Sequence, residues 1–280
     1  MALKLMYITN RTDVAKVAQN AGVDRIFIDL EYIGKADRQG GMDTVQNRHT
    51  IEDIKAVRKV VDKSELLVRI NPIHNATGEY TSSKEEIDNV IEAGADIIML
   101  PFFKSVEEVK QFIRLVDKRA KTMLLVETPQ AVDVIDDILN VEGIDSVHIG
   151  LNDLSLGYGI KFMFGLIADG TVERVCLKCK QKGIPYGFGG IAALGKGMLS
   201  ADYIIKEHYK LGSTCTILSR SFCNTELIQN IDEIKNIFDD GIKAIRQLEE
   251  ECKIHADFFD DNERKMNEII SNIINTINEK

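Results

Sequence analysis

Eight short runs of apolar residues recur along the chain, and most are followed by a longer stretch with helical spacing. The predicted strands are Leu3–Ile8, Arg25–Leu30, Leu66–Asn71, Asp96–Leu100, Thr122–Glu127, Ser146–Gly150, Pro185–Phe188 and Thr214–Leu218. Most are almost continuously apolar, which is typical of parallel strands buried on both faces. The pattern therefore predicts a parallel sheet covered by helices.

Glycine follows four of the predicted helices and comes shortly before the next strand, in the segments 20–24, 92–96, 181–185 and 210–214. Glycine adopts the left-handed conformation that ends a helix. The predicted helices are Arg11–Ala21, Thr50–Val61, Ser83–Ala93, Val106–Arg119, Val132–Leu139, Thr171–Lys182 and Ser200–Leu211. Repeated βα units favour a closed (β/α)₈ TIM barrel over an open doubly wound sheet. The length of 280 residues fits one such barrel with a short addition.

The C-terminal segment has a helical pattern of its own. We expect residues 1–250 to form the barrel and residues 251–280 to form a helical extension. Five isoleucines repeat there at helical spacing: Ile269, Ile270, Ile273, Ile274 and Ile277. Such a stripe has to be covered, either by the barrel or by another subunit. We expect a homo-oligomer, although the pattern alone does not decide whether the barrel or another subunit covers the stripe.

Composition narrows the functional classes. The formal net charge is −9, with 44% hydrophobic and 28% charged residues. This balance argues against nucleic-acid binding, which needs a basic face. No apolar run approaches the roughly 20 residues of a membrane span, and the N-terminus does not resemble a signal peptide. Five scattered cysteines suggest reduced thiols, and the single CxxC at 176–179 has no second ligand pair for zinc. We expect a cytoplasmic protein that neither binds nucleic acid nor enters a membrane.

Polar residues stand where several predicted strands end, which is where barrel enzymes place their active sites. Glu31 follows the second strand, Arg69 lies in the third, Glu127 ends the fifth and Asp153 follows the sixth. Two carboxylates on consecutive units suit Mg²⁺ or Mn²⁺, and an arginine suits a carboxylate or an enolate oxygen. The alternatives are turn or cap residues for the carboxylates and a structural ion pair for Arg69, with Glu31 or Glu127.

Four motifs together resemble a known family. They are VRINP at 68–72, LPFFKSVEEV at 100–109, LLVETPQAV at 124–132 and IGLNDLSLGYG at 149–159. In this order they resemble the HpcH/HpaI aldolase and citrate lyase β-subunit family, over about residues 23–160. The Glu-Thr-Pro and Gly-x-Asn-Asp-Leu-Ser pair is the more specific part of the likeness.

The resemblance implies a (β/α)₈ lyase that depends on Mg²⁺ or Mn²⁺. Such an enzyme makes or breaks a carbon–carbon bond through the enolate of pyruvate or a related 2-oxo acid. By motif, Glu127 and Asp153 become the metal ligands, and Arg69 binds the keto and enolate oxygen. Leu151, Asn152 and Asp153 are then expected to hold the substrate carboxylate through backbone N–H groups.

The residue that transfers the proton departs from the family pattern. The aldolase branch has a histidine shortly after an Asp-x-Glu motif, whereas here Tyr32 follows Glu31 and the next histidine is His49. Glu31, Tyr32, His49 and a metal-bound water are the candidates, and we assign Glu31 as catalytic beside the arginine. Asp-Leu-Glu instead resembles the citrate lyase branch, whose following basic residues Lys35 and Arg38 could match.

Two other functions remain open from the sequence. One is a lyase of CoA thioesters, of the citrate lyase β type, and the other is a non-catalytic barrel that binds an acidic metabolite. An aldehyde or a CoA thioester is the expected second substrate. The glycine-rich segment 187–197 is interpreted as a loop over the barrel mouth or a phosphate site, and the polar segment 34–50 as a lid or an inter-subunit element. His148, inside the sixth strand, is interpreted as a hydrogen-bonded core residue.

Overall fold

Eight parallel strands close into a barrel in the structure, a computed structural model that describes residues 2–35, 47–254 and 258–279. The strands are β1 Lys4–Ile8, β2 Arg25–Asp29, β3 Glu65–Arg69, β4 Ile97–Leu100, β5 Lys121–Val126, β6 Ser146–Ile149, β7 Tyr186–Ile191 and β8 Cys215–Leu218. Each strand pairs with the next, and β8 pairs with β1. The predicted TIM barrel is therefore confirmed.

Helices lie between the strands and cover the outside of the barrel. They are α1 Thr12–Ala21, α2 Ile51–Arg58, α3 Ser83–Glu92, α4 Val106–Val116, α5 Pro129–Asp133, α6 Ile135–Ile138, α7 Leu151–Gly157, α8 Gly165–Ala168, α9 Thr171–Gln181, α10 Ala201–Leu211, α11 Ile231–Ile254 and α12 Phe259–Asn278. The short helices α7 and α8 were not predicted, because each is too brief to show a helical period. Within the described residues, no helix has both the length and the apolar character of a membrane span.

Two apolar clusters explain why the strands are apolar on both faces. The larger one lies between the strands and the surrounding helices. A separate small cluster fills the inside of the barrel and contains Met6, Phe27, Leu67, Ile97, Met99, Met123, Leu125 and Cys215. Successive strand residues point alternately inward and outward. A strand in this fold therefore buries side chains on both of its faces, and its sequence shows little alternation.

The glycine-rich segment forms a strand over much of its length, which corrects the predicted loop. Residues 187–191 belong to β7, and the register of its pairing with β8 shifts between Gly187 and Gly190. A Cβ atom on Gly187 would lie 2.1 Å from the carbonyl oxygen of Cys215. Glycine is needed here because the two backbones approach so closely.

The last helix packs on the barrel of its own chain. Helix α12 contacts α10 and α8, and Met266 and Ile270 are fully buried there. The other four isoleucines of the stripe are partly buried against the same core. Part of the stripe is therefore covered within the chain, which is one of the two predicted alternatives. The predicted boundary at residue 250 falls inside helix α11, which continues to Ile254.

Candidate active site

A cavity of about 700 Å³ opens at the carboxyl ends of the strands, the face where barrel enzymes hold their active sites. Five residues selected from the sequence line it: Arg69, Glu127, Leu151, Asn152 and Asp153. The sixth, Glu31, is fully buried and lies outside the lining. The fold thus brings together the arginine and both candidate metal ligands, and places Glu31 behind them.

Arg69 is held from behind by a carboxylate that the sequence analysis did not assign. Its Nε donates to Asp29 Oδ1 at 2.8 Å, and its Nη2 donates to Asp29 Oδ2 at 2.7 Å. The two residues lie side by side because Asp29 ends β2 in register with Arg69 of β3. This two-pronged pair fixes the plane of the guanidinium. The fixed group keeps 13% of its side chain exposed and lines the cavity.

Glu31 and Lys35 complete a buried ionic cluster around this pair. Arg69 Nη1 lies 3.3 Å from Glu31 Oε2, so the structural ion pair considered from the sequence is present. Lys35 Nζ donates to Asp29 Oδ2 at 2.8 Å and lies 3.7 Å from Glu31 Oε2. Lys35 lines the cavity, and Asn47 also donates to Asp29. The catalytic assignment of Glu31 stays a prediction, whereas its contacts are those of a residue that positions its neighbours.

The charges of this cluster shift the pKa values of its members. Burial alone would raise the pKa of Asp29, but Arg69 and Lys35 outweigh burial and hold it well below its usual value. Burial likewise opposes the charge of Arg69, and Asp29 and Glu31 overcome it, so its pKa is raised. Both groups are therefore charged at neutral pH.

Glu127 has the opposite electrostatic situation. Burial raises the pKa of its carboxyl well above the usual value, and the negative charges of Glu31 and Asp153 raise it further. Its Oε1 accepts a hydrogen bond from the Phe102 backbone N–H at 2.9 Å. Phe102 has a φ of 47°, a conformation that non-glycine residues rarely adopt. The charge of Arg69 and the Phe102 N–H stabilise the negative charge of Glu127, but they do not outweigh burial and the two neighbouring carboxylates.

The turn after β6 packs tightly against Glu127. A Cβ atom on Gly150 would lie 2.9 Å from both Cβ and Oε2 of Glu127, so only glycine fits between the two elements. Helix α7 begins directly afterwards, and its first internal hydrogen bond runs from Leu154 N–H to the Gly150 carbonyl at 3.2 Å. The N–H groups of residues 151–153 precede that bond and lie in the first turn, where N–H groups have no i−4 partner within the helix. Asp153, also in this first turn, is buried.

Asn71, the asparagine of the VRINP motif, ties the β2 loop to the end of β3. Its Oδ1 accepts the backbone N–H groups of Tyr32 and Ile33 at 2.8 and 2.9 Å. Its Nδ2 donates to Glu86 Oε1 at 2.8 Å. Sequence reasoning missed this residue, although an amide next to a strand-ending proline was a signal. Asn71 therefore fixes the loop after β2, which carries Glu31 and Lys35.

The side chains proposed for proton transfer lie away from the cavity. Tyr32 and His49 are absent from its lining, as is Glu31. His49 accepts the Asp29 backbone N–H on Nδ1 at 3.1 Å, and burial lowers its pKa, so the ring is neutral and carries its proton on Nε2. His148 does line the cavity, but its Nε2 is bound to the Gly189 carbonyl at 3.0 Å. Burial lowers the pKa of His148 to about 4, which supports its interpretation as a core residue.

Two further predictions concern residues away from these elements. Arg38 and most of the proposed lid at 34–50 lie outside the described residues.

Cys176 and Cys179 are buried in helix α9, and burial raises the pKa of both thiols, in Cys179 to about 12. The thiols are therefore protonated. Across the described part of the chain, no three acidic, histidine or cysteine side chains converge to hold a metal by themselves.

A closed (β/α)₈ barrel with an arginine and two carboxylates at its mouth has charged side chains at the face where barrel enzymes hold their active sites. The family model for HpcH/HpaI aldolase/citrate lyase matches residues 4–186. The chain therefore belongs to this family, which confirms the resemblance drawn from the motifs. The family consists of aldolases and lyases, so membership supports a lyase or aldolase activity.

Solved structures agree on the fold. An HpcH/HpaI aldolase from Desulfitobacterium hafniense DCB-2 is 18% identical, with a TM-score of 0.62 over 84% of this chain and 93% of that chain. An HpcH/HpaI aldolase/citrate lyase family protein from Burkholderia cenocepacia J2315 is 15% identical, with a TM-score of 0.61 over 84% and 95%. The citrate synthase SbnG is 17% identical, with a TM-score of 0.60 over 84% and 94%. A comparison with curated proteins finds no match.

Proposed function

We propose that the protein is a divalent-metal-dependent carbon–carbon lyase or aldolase that acts through the enolate of pyruvate or a related 2-oxo acid. The observation that carries the proposal is the charge of the site. The site contains four carboxylates, those of Asp29, Glu31, Glu127 and Asp153, and two cations, Arg69 and Lys35. The formal balance is −2, which a divalent cation would neutralise.

The residues present fit such a cation. Glu127 and Asp153 both line the cavity, and the charge of Asp153 helps to raise the pKa of Glu127. A cation between two crowded carboxylates relieves that repulsion. Mg²⁺ is commonly bound by one or two carboxylates and keeps several waters, which a substrate can replace. When bound, Mg²⁺ or Mn²⁺ would polarise the keto group and stabilise the charge of the enolate.

Arg69 contributes the second positive charge at the reacting oxygen. Because Asp29 holds its guanidinium from behind through two hydrogen bonds, the group is oriented before substrate binds. A donor that needs no reorganisation stabilises the developing enolate oxygen more than the ground state, which lowers the barrier. Glu31 and Lys35 act in this proposal as positioning residues that keep the guanidinium in place.

The first turn of α7 would hold the substrate carboxylate. The N–H groups of Leu151, Asn152 and Asp153 precede the hydrogen-bond ladder of that helix. In the addition direction, a proton leaves the methyl group of the 2-oxo acid, and the resulting carbon bonds to a carbonyl carbon. The carbonyl oxygen then takes up a proton. Since the three side-chain candidates do not line the cavity, we expect water in the cavity to carry the proton.

Metal binding itself tests the proposal independently of turnover. Because the pKa of Glu127 is raised, we expect Mn²⁺ or Mg²⁺ to displace a proton from its carboxyl group, so affinity should rise with pH. Calorimetric titration in buffers of different ionisation enthalpy measures this proton release. Glu127→Gln should abolish both the release and the binding. Equal affinity in wild type and in this variant would refute the metal assignment.

Activity provides the second test. Wild-type protein with Mg²⁺ or Mn²⁺ should exchange the methyl protons of pyruvate for deuterium, followed by NMR, and Glu127→Ala should lose this exchange. Exchange that persists in Glu127→Ala contradicts the assigned ligand. Exchange on acetyl-CoA but not on pyruvate would favour the CoA-thioester alternative. The absence of exchange with any metal would favour a barrel that only binds an acidic metabolite.

A further inference from the structure

The cavity is larger than a three-carbon acid requires. Cavities of roughly 300–1,000 Å³ hold drug-sized ligands, and this one measures about 700 Å³. Arg69, Glu127 and Asp153 come from β3 and from the ends of β5 and β6, on one side of the mouth. The lining also includes segments that follow β6, β7 and β8, and these leave room for a second molecule beside the enolate.

An apolar wall borders this remaining space. We define the apolar wall as Phe162, Met163 and Phe164, which follow α7, together with Met198 and Leu199, which follow β7. The rings of Phe162 and Phe164 meet edge to face with centroids 5.5 Å apart, and Leu199 is buried. Met198 is 64% exposed. An apolar ligand filling the cavity would cover part of that exposed surface.

We infer that the second substrate is an aldehyde with an extended apolar body, such as an alkyl chain, that packs against the apolar wall. The inference rests on the proposed function, which supplies the enolate. Apolar contact is non-directional and grows with the area that is covered. Methionine side chains at a binding surface adapt to different apolar shapes. An alkyl chain therefore suits this wall better than a short polar aldehyde does.

The reaction is a balanced aldol addition. The methyl carbon of the 2-oxo acid loses a proton and forms a bond to the aldehyde carbon. The electron pair of the C=O bond moves to the aldehyde oxygen, which takes up a proton to give the hydroxyl group. No oxidant or reductant is involved, and the reverse reaction releases the same aldehyde.

A series of aldehydes of increasing chain length tests the inference. With pyruvate and Mn²⁺, the kcat/KM of wild-type protein should rise from propanal to pentanal to heptanal. The expected increase is about fourfold per added methylene, as for burial of one CH₂ group. A flat profile overturns the inference. A preference for glyoxylate, a short aldehyde that carries a carboxylate, also overturns it. That result would indicate that Arg220, which lines the same cavity, binds the carboxylate of the second substrate.

Matched variants locate the effect. Met198→Glu places a charge on the apolar wall at an exposed position, so folding should be retained. Leu177→Glu makes the same change at another exposed apolar residue, which is 48% exposed on helix α9 and outside the cavity. We expect Met198→Glu to lower the heptanal-to-propanal ratio of kcat/KM at least tenfold and Leu177→Glu to leave it unchanged. An unchanged ratio in both variants refutes the role of the wall.

The exchange of pyruvate methyl protons by the wild-type protein distinguishes failure of the proposed function from failure of the inference about the aldehyde. Exchange together with a flat chain-length profile refutes only the inference about the aldehyde. The absence of exchange with Mg²⁺ and Mn²⁺ refutes the proposed function and this inference with it.

Discussion

Replacing Asp29 by asparagine removes one charge from the buried centre of the site. Asp29 is fully buried and accepts two hydrogen bonds from Arg69, one from Lys35 and one from Asn47. Asparagine keeps the shape of the side chain but turns one acceptor atom into a donor. Among the described residues, Glu31 then remains as the carboxylate partner of both cations.

The structure sets the magnitude of the effect. Removing one partner of a buried ion pair destabilises a protein by about 3 to 5 kcal/mol, and here two buried cations, Arg69 and Lys35, would share the single carboxylate of Glu31. With a slope of about 3 kcal/mol per molar urea, the unfolding midpoint should fall by about 1 M or more. The measurement is urea unfolding followed by circular dichroism. Asp13→Asn is the matched control, since Asp13 pairs with Arg11 at the surface and its loss should change stability by less than about 1 kcal/mol.

The pH dependence provides a separate check on the same reasoning. The pKa of Asp29 is lower in the folded protein than its usual value of 3.8, since Arg69 and Lys35 outweigh burial. A lowered pKa gives stability that is fully present above the unfolded value and is lost as the pH falls below it. The difference between wild type and Asp29→Asn should therefore narrow below a pH of about 4. A difference under about 1 kcal/mol at pH 7, or one that stays constant down to pH 3, would refute the reasoning.

Three further changes test other parts of the molecule. Burial raises the pKa of Glu207 to about 7, so its folded form favours the proton and stability should fall as the pH rises from 5 to 8. Glu207→Gln should reduce that fall in a pair of thermal melts. Gly187→Ala should lower stability by about 1 to 3 kcal/mol, because its Cβ would meet the Cys215 carbonyl. Gly190→Ala should be tolerated, because its Cβ would lie 3.5 Å from the Ile217 carbonyl oxygen, and equal melting temperatures of the two variants would contradict this. Asn71→Ala should lower kcat more than it raises KM, and a pure KM effect would argue against a positioning role.

The barrel could be predicted from the sequence because its strands are buried on both faces. A run such as IIML at 97–100 has no polar alternation, and few folds other than a helix-covered parallel sheet produce such runs repeatedly. The end of the seventh strand was the exception, because the predicted strand stops at Phe188 and the observed one continues to Ile191. Three of its six residues, YGFGGI, are glycine, and glycine in a sequence ordinarily indicates a loop. Only the distance between the β7 and β8 backbones explains why glycine is required there.

The part of the candidate site that lies at strand ends could be predicted from the sequence. Strand-end positions placed Arg69, Glu127 and Asp153 at one rim, and they line one cavity. The partners of Arg69 were harder to predict. Asp29 pairs with it because the two residues are opposite each other in the β2–β3 register, and a sequence does not state the register. For the same reason the ion pair between Arg69 and Glu31, two residues further on, was only one of the alternatives that the sequence left open, and the catalytic role of Glu31 stays a prediction.

The two sides of the cavity differ in how firmly they are built, and this difference bears on how the protein could change its substrate. Arg69 and Glu127 stand on or directly after barrel strands and are fixed by buried partners, so a substitution there disturbs the ionic cluster and the fold together. The apolar wall stands on segments that connect elements, and Met198 within it is largely exposed. Substitutions at such positions usually change stability by less than about 0.5 kcal/mol. We therefore expect Met198 to vary with little effect on the barrel, so that the proposed enolate chemistry is kept while the accepted aldehyde changes.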